Sequence, residues 1–187
     1  MQLITEMLIG IGLAMDACAV SIAGGANTKK KGGMLRPAIL AGVFFGIFQF
    51  GMLFIGGLGG ESLRAFVSGI DHWVAFGLLA FIGGKMVIEA LREPEERKVD
   101  LLDGRMLLLL ALATSIDALG VGVGLAFAGD SLLSSAAVVG ITTAAISAAS
   151  VFVGHRYGSH IGNRMEIIGG MILIAIGANI LQSHLFG

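Results

Sequence analysis

The chain has 187 residues, of which 56% are hydrophobic and 13% are charged, and its formal net charge is −1. Because a soluble domain carries about 25% charged residues, this composition excludes a soluble protein and predicts an all-α integral membrane protein. The single cysteine, Cys18, excludes a disulfide framework and a paired-cysteine zinc or redox site. The N-terminus lacks a basic n-region, so the first apolar segment is expected to be retained.

Six apolar segments, each long enough to cross about 30 Å of hydrocarbon, follow one another along the chain. They predict transmembrane helices over 3–25, 38–59, 73–91, 106–128, 133–154 and 165–185. The charged stretch 92–105 divides the chain into two three-helix halves, 1–91 and 106–187. We interpret this stretch as a solvated cytoplasmic linker, with a regulatory or metal-sensing role for its acidic residues as the alternative.

The basic residues are distributed by side of the membrane. Ten of the 12 Lys and Arg residues lie in the first, third and fifth connections. Arg64 is the only basic residue of the second and fourth connections, and Lys85 lies inside the third segment. Since positive charge marks cytoplasmic loops, this pattern predicts that both termini lie outside the cytoplasm.

The two halves of the chain resemble each other. The alignment pairs Asp16 with Asp117, Gly42 with Gly140 and Gly56 with Gly154. Each half has three spans, which is an odd number, so two similar halves must have opposite orientations in the membrane. The predicted fold is therefore six transmembrane helices arranged as two inverted three-helix repeats, an arrangement common in secondary transporters.

An aspartate occurs in the middle of the first and fourth segments, Asp16 in GIGLAMDACAVSIAGG and Asp117 in LALATSIDALGVGVGLAFAG. A carboxylate at bilayer depth costs about 2.5–3.5 kcal/mol on insertion scales, so two of them indicate a function. Small residues on the same faces predict that helices one and four approach closely and bring the carboxylates together. A divalent cation would neutralise both, because two facing carboxylates repel. Pairing with a basic residue such as Lys85 is the structural alternative.

The polar side chains inside the spans, Ser147 among them, are rich in oxygen and indicate a hard cation such as Mn²⁺, Mg²⁺ or Ca²⁺. The candidate ligands are Asp16, Asp117, Thr114, Ser115, Ser21, Asn179 and Gln49. Hydrogen bonding between helices is the alternative for Gln49 and Asn179. Lys85 and Glu89 form either a surface pair or, for Lys85, a charge that compensates the empty carboxylates. No His lies in mid-span, and Cys18 faces away from Asp16, which disfavours a soft metal.

Several motifs of other protein classes do not occur in the sequence. A phosphate-binding GxxxxGK[ST] loop, an HExxH motif and a basic patch with interleaved aromatics are all missing. The chain is therefore expected to be a transporter rather than an enzyme, with no cofactor and no nucleic-acid partner. The small-residue stripes could equally form a dimer interface, which leaves a homo-oligomer open.

The motifs AMDACAVSIAGG and ATSIDALGVGVGLAF, the six spans and the charged middle connection resemble the bacterial manganese efflux pumps of the MntP family, which belong with the LysE-type exporters. The resemblance extends over the segment HWVAFGLLAFIGGKMVIEALR and the tail IGGMILIAIGANILQSHLFG. It implies Mn²⁺ export across the bacterial inner membrane, driven by an ion gradient such as protons, with Asp16 and Asp117 as the acidic ligands. Some members have Glu where this chain has Gln49, which implies one fewer negative ligand here. Export of another cation, such as Cd²⁺ or a cationic amino acid, is the alternative.

Overall fold

The computed structural model describes residues 2–28, 33–67, 99–128 and 131–157, together with scattered helical positions within 73–88 and 171–182. These residues are helical apart from short connections, and no strand occurs among them. In chain order the helices are α1 (Gln2–Asn27), α2 (Leu35–Val67), α3 (Gly104–Thr114), α4 (Ile116–Ala128) and α5 (Leu132–Tyr157).

Four stretches of the described residues are long and apolar enough to cross a membrane, and α3 and α4 together form one of them. They are Leu3–Asn27, Leu35–Ser62, Gly104–Ala128 and Leu132–Tyr157. These stretches confirm the predicted first, second, fourth and fifth apolar segments as helical. The predicted third and sixth helices, 73–91 and 165–185, lie largely outside the described residues.

The longest helix, α2, has one face turned outward that is entirely apolar. Ile39, Val43, Ile47, Ile55 and Leu58 are all exposed and recur at helical spacing. On the opposite face, Ala41, Phe45, Gln49 and Leu53 are buried against the other helices. An exposed apolar stripe of this length is suited to contact with lipid tails.

The described end of the charged connection is ordered by its own carboxylates. Asp103 caps α3, since its Oδ1 accepts hydrogen bonds from the N–H groups of Arg105 (2.9 Å) and Met106 (3.4 Å). Asp100 accepts from the Leu102 N–H (2.9 Å) in a turn. These two acidic residues therefore have structural roles.

Two apolar residues of the same connection are buried, although the sequence predicted a solvated linker. Val99 is 3% exposed and Leu101 is 1% exposed. Leu101 packs against α1, where a Cβ on Gly24 would overlap its side chain. The last residues before α3 therefore belong to the packed core.

The predicted fourth helix, 106–128, is interrupted at Ser115 and consists of α3 and α4. Ser115 has φ −97° and ψ −2°, and its N–H donates to the carbonyls of both Ala111 (3.2 Å) and Leu112 (3.3 Å). A donor shared in this way is common where the last turn of a helix tightens. The Leu119 N–H then bonds to the Ser115 carbonyl (3.3 Å), and the helix resumes.

Helices α1 and α5 pack along each other and run parallel. Near the start of both, Glu6 Oε1 accepts hydrogen bonds from the hydroxyls of Ser134 (2.6 Å) and Ser135 (3.2 Å). Further along, the Ser150 hydroxyl donates to Cys18 Sγ (3.0 Å). The partners are 128 to 132 positions apart in the sequence, so the contacts advance in step along the two helices.

Helices α2 and α4 also run parallel and approach closely at glycines. A Cβ on Gly56 would overlap the carbonyl oxygen of Leu119, and one on Gly60 would lie 2.9 Å from the Cα of Val123. The α1–α5 pair also packs closely at a glycine, because a Cβ on Gly154 would overlap the carbonyl oxygen of Ile22.

The prediction that small residues join helix one to helix four therefore needs correction. Among the described residues, the closest approaches of a glycine to a neighbouring backbone join α1 to α5 and α4 to α2. The physical reason is that backbones can touch only where a Cβ is missing on the facing side. Glycines on both members of each parallel pair meet that condition.

Helices α2 and α5 cross in antiparallel directions and link the two parallel pairs. A Cβ on Gly42 would lie 2.9 Å from the carbonyl oxygen of Ala144, and one on Gly140 would lie 3.1 Å from that of Gly46. Every described span is thus held to at least one neighbour by direct backbone contact.

Most of the buried apolar residues that the structure describes form two clusters, one on each side of this crossing. The first cluster is Ile9, Leu13, Met15, Leu53, Ile82, Ala118, Val121, Leu125, Leu132, Ala136, Val139 and Ile176. The second cluster is Ala17, Ala38, Ala41, Phe45, Val99, Leu101, Leu107, Ala111 and Val151.

Candidate cation site

Polar side chains separate the two apolar clusters on each of the four described spans, and we call them the polar layer. On α1, for example, Met15 belongs to the first cluster, Ala17 belongs to the second, and Asp16 lies between them. The members of the polar layer are Asp16 on α1, Gln49 on α2, Thr114, Ser115 and Asp117 around the α3–α4 break, and Thr143 and Ser147 on α5.

The two aspartates have different surroundings. Asp16 is half-buried and lies within the unbroken helix α1. Asp117 is 9% exposed and lies in the first turn of α4, directly after the break at Ser115. The N-terminal turn of a helix favours a negative charge through its N–H groups and the helix dipole. The chain thus provides electrostatic support for Asp117 that α1 does not provide for Asp16.

Gln49 connects α2 to the helix that carries Asp16. Its side chain is fully buried, and its Nε2 donates to the backbone carbonyl of Leu13 (3.2 Å). Leu13 lies three residues before Asp16, so the two share a face of α1. Because a carbonyl can only accept, this bond leaves the Gln49 Oε1 as the free end of the amide. Oε1 finds no hydrogen-bond partner among the described residues.

Gln49 also lies at the depth of Asp117. The contacts between α2 and α4 pair residues 63 to 69 positions apart, from Gly56 with Leu119 to Leu53 with Gly122. Counting back 63 to 69 positions from Asp117 gives residues 48–54 of α2, which therefore lie at the depth of Asp117. The Gln49 side chain therefore donates its hydrogen bond about one helical turn from Asp16, and Gln49 lies at the same depth as Asp117.

Like the Gln49 Oε1, four buried hydroxyl groups have no hydrogen-bond partner within the described residues. All four residues are 0% exposed. They belong to Ser21, Ser115, Thr143 and Ser147. A buried polar group without a partner is costly, and more so at bilayer depth. These oxygens suit a polar or cationic occupant.

The other predicted ligands differ in their placement. Thr114 is half-buried, and its hydroxyl donates to the Ala111 carbonyl (3.3 Å), which leaves its lone pairs available. Ser21 lies five residues beyond Asp16, about 7.5 Å along the axis and about 140° around it. It therefore lies off the face of Asp16. Asn179, Lys85 and Glu89 lie outside the described residues.

The chemistry of the layer is that of oxygen. In the described part of the chain, no three His, Cys, Asp or Glu side chains come close enough to hold a metal ion. The thiol of Cys18 accepts a hydrogen bond from Ser150 on α5, about 200° around α1 from Asp16. A cation in the layer would therefore be held by carboxylate and neutral oxygens, the ligands that hard divalent cations prefer.

Sequence reasoning left Thr143 and Ser147 out of the ligand set. The signal that could have found them is spacing, because both lie on the buried stripe of α5 that also contains Gly140 and Gly154. The alignment that pairs Gly42 with Gly140 also pairs Gln49 with Ser147.

Four stretches that are long and apolar enough to cross a bilayer, with polar side chains between two apolar clusters, define a multi-pass helical membrane protein. The chain belongs to the MntP family, whose profile, described as "Putative manganese efflux pump", matches residues 33–181. The resemblance noted in the sequence motifs is thereby confirmed.

Relatives with the same description match nearly the whole chain. The protein from Methanosarcina mazei is 45% identical over 185 residues, which cover 99% of this chain and 98% of that protein. The protein from Gloeothece citriformis is 44% identical over 186 residues, covering 99% and 97%. The Clostridium perfringens protein is 40% identical over 207 residues, covering 98% and 96%. No solved structure matches the chain.

Proposed function

We propose that this chain is a secondary-active exporter that carries Mn²⁺ out of the cell across the bacterial inner membrane. Two findings support the proposal. Full-length relatives are described as manganese efflux pumps, and four described stretches are suited to crossing a bilayer. The activity is transport of a metal substrate rather than catalysis.

The metal binds near the bilayer midplane between Asp16 and Asp117. The observation that carries this proposal is the polar layer, in which both carboxylates lie between the two apolar clusters together with unpartnered buried oxygens. Neutral ligands complete the shell. They come from Gln49, Thr114, Ser115 and Asn179, and Ser21 lines the path next to the site. Lys85, with Glu89 beside it, compensates the carboxylates after the metal has left.

The fold that carries the site is six helices in two inverted repeats. The α2–α5 crossing supports this proposal, because its contacts are reciprocal under the sequence alignment. Gly42 approaches Ala144 and Ala148, and its counterpart Gly140 approaches the counterparts of these two, Gly46 and Phe50. The parallel α1–α5 pair likewise corresponds to the parallel α4–α2 pair.

Both termini lie on the outer side of the membrane in this proposal. The positive-inside pattern supports this orientation. His155 and Arg156 in the last turn of α5 and Arg36 at the start of α2 then lie on the cytoplasmic side. The buried Leu101 lies at the same end and closes the packing between the helices there.

Protons drive export by competing with Mn²⁺ for the same carboxylates. Acidification of the outer side then releases metal, and the protonated site returns inward. We expect Mn²⁺ transport to respond to a proton gradient imposed across the membrane. Flux in proteoliposomes with and without such a gradient measures the coupling, and a flux that does not respond to the gradient would contradict proton competition.

The deciding experiment replaces each aspartate by asparagine in cells that lack their own manganese exporter. Asp16→Asn and Asp117→Asn are each expected to restore manganese sensitivity and raise cellular manganese, because the remaining carboxylate cannot neutralise a divalent ion alone. Asp103→Asn is the matched control, since Asn caps a helix about as well as Asp. Normal export by either site variant would show that the two-carboxylate site is wrong.

Transport of Cd²⁺ or of a cationic amino acid is tested in the same system. Flux of Mn²⁺, Cd²⁺, Mg²⁺ and lysine is measured in proteoliposomes. We expect Mn²⁺ to be preferred, because the described spans offer oxygen ligands and the thiol of Cys18 is bonded to Ser150. Preferred flux of Cd²⁺ or lysine would replace manganese as the substrate.

A further inference from the structure

The buried face of α5 carries two hydroxyls that the sequence-based ligand set does not include. Thr143 and Ser147 lie one turn apart on that face and are 0% exposed. Gly140 on one side of them approaches Gly46 of α2, and Ser150 on the other side bonds Cys18 of α1. The two hydroxyls therefore lie inside the junction of α1, α2 and α5.

Hydroxyls in membrane helices usually bond back to the carbonyl of the preceding turn. Three described residues do so: Thr28 bonds the Gly24 carbonyl (2.9 Å), Ser62 bonds that of Leu58 (3.1 Å) and Thr114 bonds that of Ala111 (3.3 Å). Thr143 and Ser147 do not, and no other described residue bonds their hydroxyl oxygens. Thr143 and Ser147 therefore lack both the bond to their own helix and a bond to a neighbouring side chain of the kind that Ser135, equally buried, makes with Glu6.

The depth of the two hydroxyls matches that of Asp16. Partners on α1 and α5 are 128 to 132 positions apart, so residues 144–148 of α5 lie at the same depth as Asp16. Ser147 lies within this range, and Thr143 directly precedes the range. Both are members of the polar layer between the two apolar clusters.

Ser147 corresponds to Gln49 in the alignment of the halves, as Asp117 corresponds to Asp16. Gln49 bonds the helix that carries Asp16, three residues before that aspartate. The reciprocal contacts at the α2–α5 crossing support a corresponding orientation of Ser147 towards the α3–α4 break. Ser147 is too short to make the bond that Gln49 makes, which leaves its oxygen free for a ligand.

We propose that Ser147 and Thr143 are ligands of the transported divalent cation and that they set its preference for hard over soft ions. The inference rests on the proposed function, whose carboxylates supply the charge, and adds the neutral oxygens on the α5 side. Hydroxyl oxygen suits hard cations such as Mn²⁺ and Mg²⁺, whereas softer cations gain more from sulfur.

The first test is Mn²⁺ binding to the purified full-length chain by titration calorimetry. Ser147→Ala and Thr143→Val are each expected to raise the Kd for Mn²⁺ by roughly tenfold or more. The matched control is Thr142→Val, because Thr142 is the adjacent threonine on α5, is only half-buried and packs against Gly10 of α1, six residues before Asp16. The control should bind Mn²⁺ like the unmodified chain.

The second test exchanges one atom at the same position. Ser147→Cys, made in a Cys18→Ser background, replaces a hard oxygen by sulfur at nearly constant size. Flux in proteoliposomes should shift from Mn²⁺ towards Cd²⁺ by roughly tenfold or more in ratio. Thr142→Cys in the same background controls for a thiol elsewhere on α5, and it should leave the ratio unchanged.

The outcomes separate this inference from the proposed function. Unchanged Mn²⁺ affinity in Ser147→Ala and Thr143→Val, with no gain of Cd²⁺ in Ser147→Cys, would overturn the inference. If Asp16→Asn and Asp117→Asn lose binding in the same assay, the proposed function stands without it. If the aspartate variants also bind normally, the proposed function fails as well. Should Thr143→Val not give a monodisperse protein, the two Ser147 variants decide.

Discussion

The regions around Asp16 and Asp117 occupy matching positions in the two halves, yet they are built differently. Asp16 lies in an unbroken helix and is half-buried. Asp117 follows a helix break and is 9% exposed. The difference shows that related halves can place the same side chain between the same two apolar clusters while giving it unequal surroundings. The two carboxylates are therefore expected to respond unequally to the same change.

The largest expected effect comes from lengthening each carboxylate by one methylene. Asp117→Glu should reduce Mn²⁺ transport about 100-fold and Asp16→Glu only about tenfold, because added volume is tolerated less where a side chain is tightly packed. Transport is measured as initial Mn²⁺ flux in proteoliposomes at matched protein amounts. Equal losses, or a greater loss for Asp16→Glu, would remove the distinction between the two surroundings.

The second comparison tests whether the two parallel helix pairs depend equally on their glycines. Gly122→Ala and Gly154→Ala each place a Cβ against a backbone carbonyl, that of Leu53 or that of Ile22. Each should lower the free energy of unfolding by about 1–3 kcal/mol. Chemical denaturation in detergent measures the change.

Gly59→Ala is the control for both glycine variants, because a Cβ there meets nothing within 4 Å. It should stabilise the chain by about 0.4–1 kcal/mol through the unfolded state. If only one of the two parallel pairs responds to its alanine, the pairs are not structurally equivalent, and the inverted-repeat proposal loses support.

The smallest expected effect concerns the break itself. Ser115→Ala removes a fully buried hydroxyl without a described partner, so stability should change by less than about 1 kcal/mol. Mn²⁺ affinity should nevertheless fall severalfold, since one oxygen of the polar layer is lost. Calorimetric titration measures it, with Ser62→Ala as a control whose hydroxyl bonds its own helix. A variant with lower stability and normal affinity would give Ser115 a structural role only.

Much of this arrangement could be predicted from the sequence. The length of the apolar segments located four of the spans, and the cost of a carboxylate at bilayer depth singled out Asp16 and Asp117 from the sequence alone. Gln49 was identified for the same reason, as a polar group at lipid depth. These predictions rest on composition and depth, which a sequence records directly.

The helix partners and the break at Ser115 could not be predicted in this way. Small residues occur on several faces of α1 and α4, so spacing alone does not say which face meets which helix. The break depends on one N–H shared between the Ala111 and Leu112 carbonyls, and neither Pro nor Gly marks it. The burial of Leu101 depends on the space above Gly24, which exists only once the helices are assembled.

The most direct test of the central claim is the position of Mn²⁺ in an experimental structure of the loaded protein, located by its anomalous scattering. The account predicts one ion in the polar layer, with carboxylate oxygens of both Asp16 and Asp117 at about 2.0–2.6 Å, the range of hard-cation–oxygen bonds. An ion bound by only one of these aspartates, or bound outside the polar layer, would contradict it.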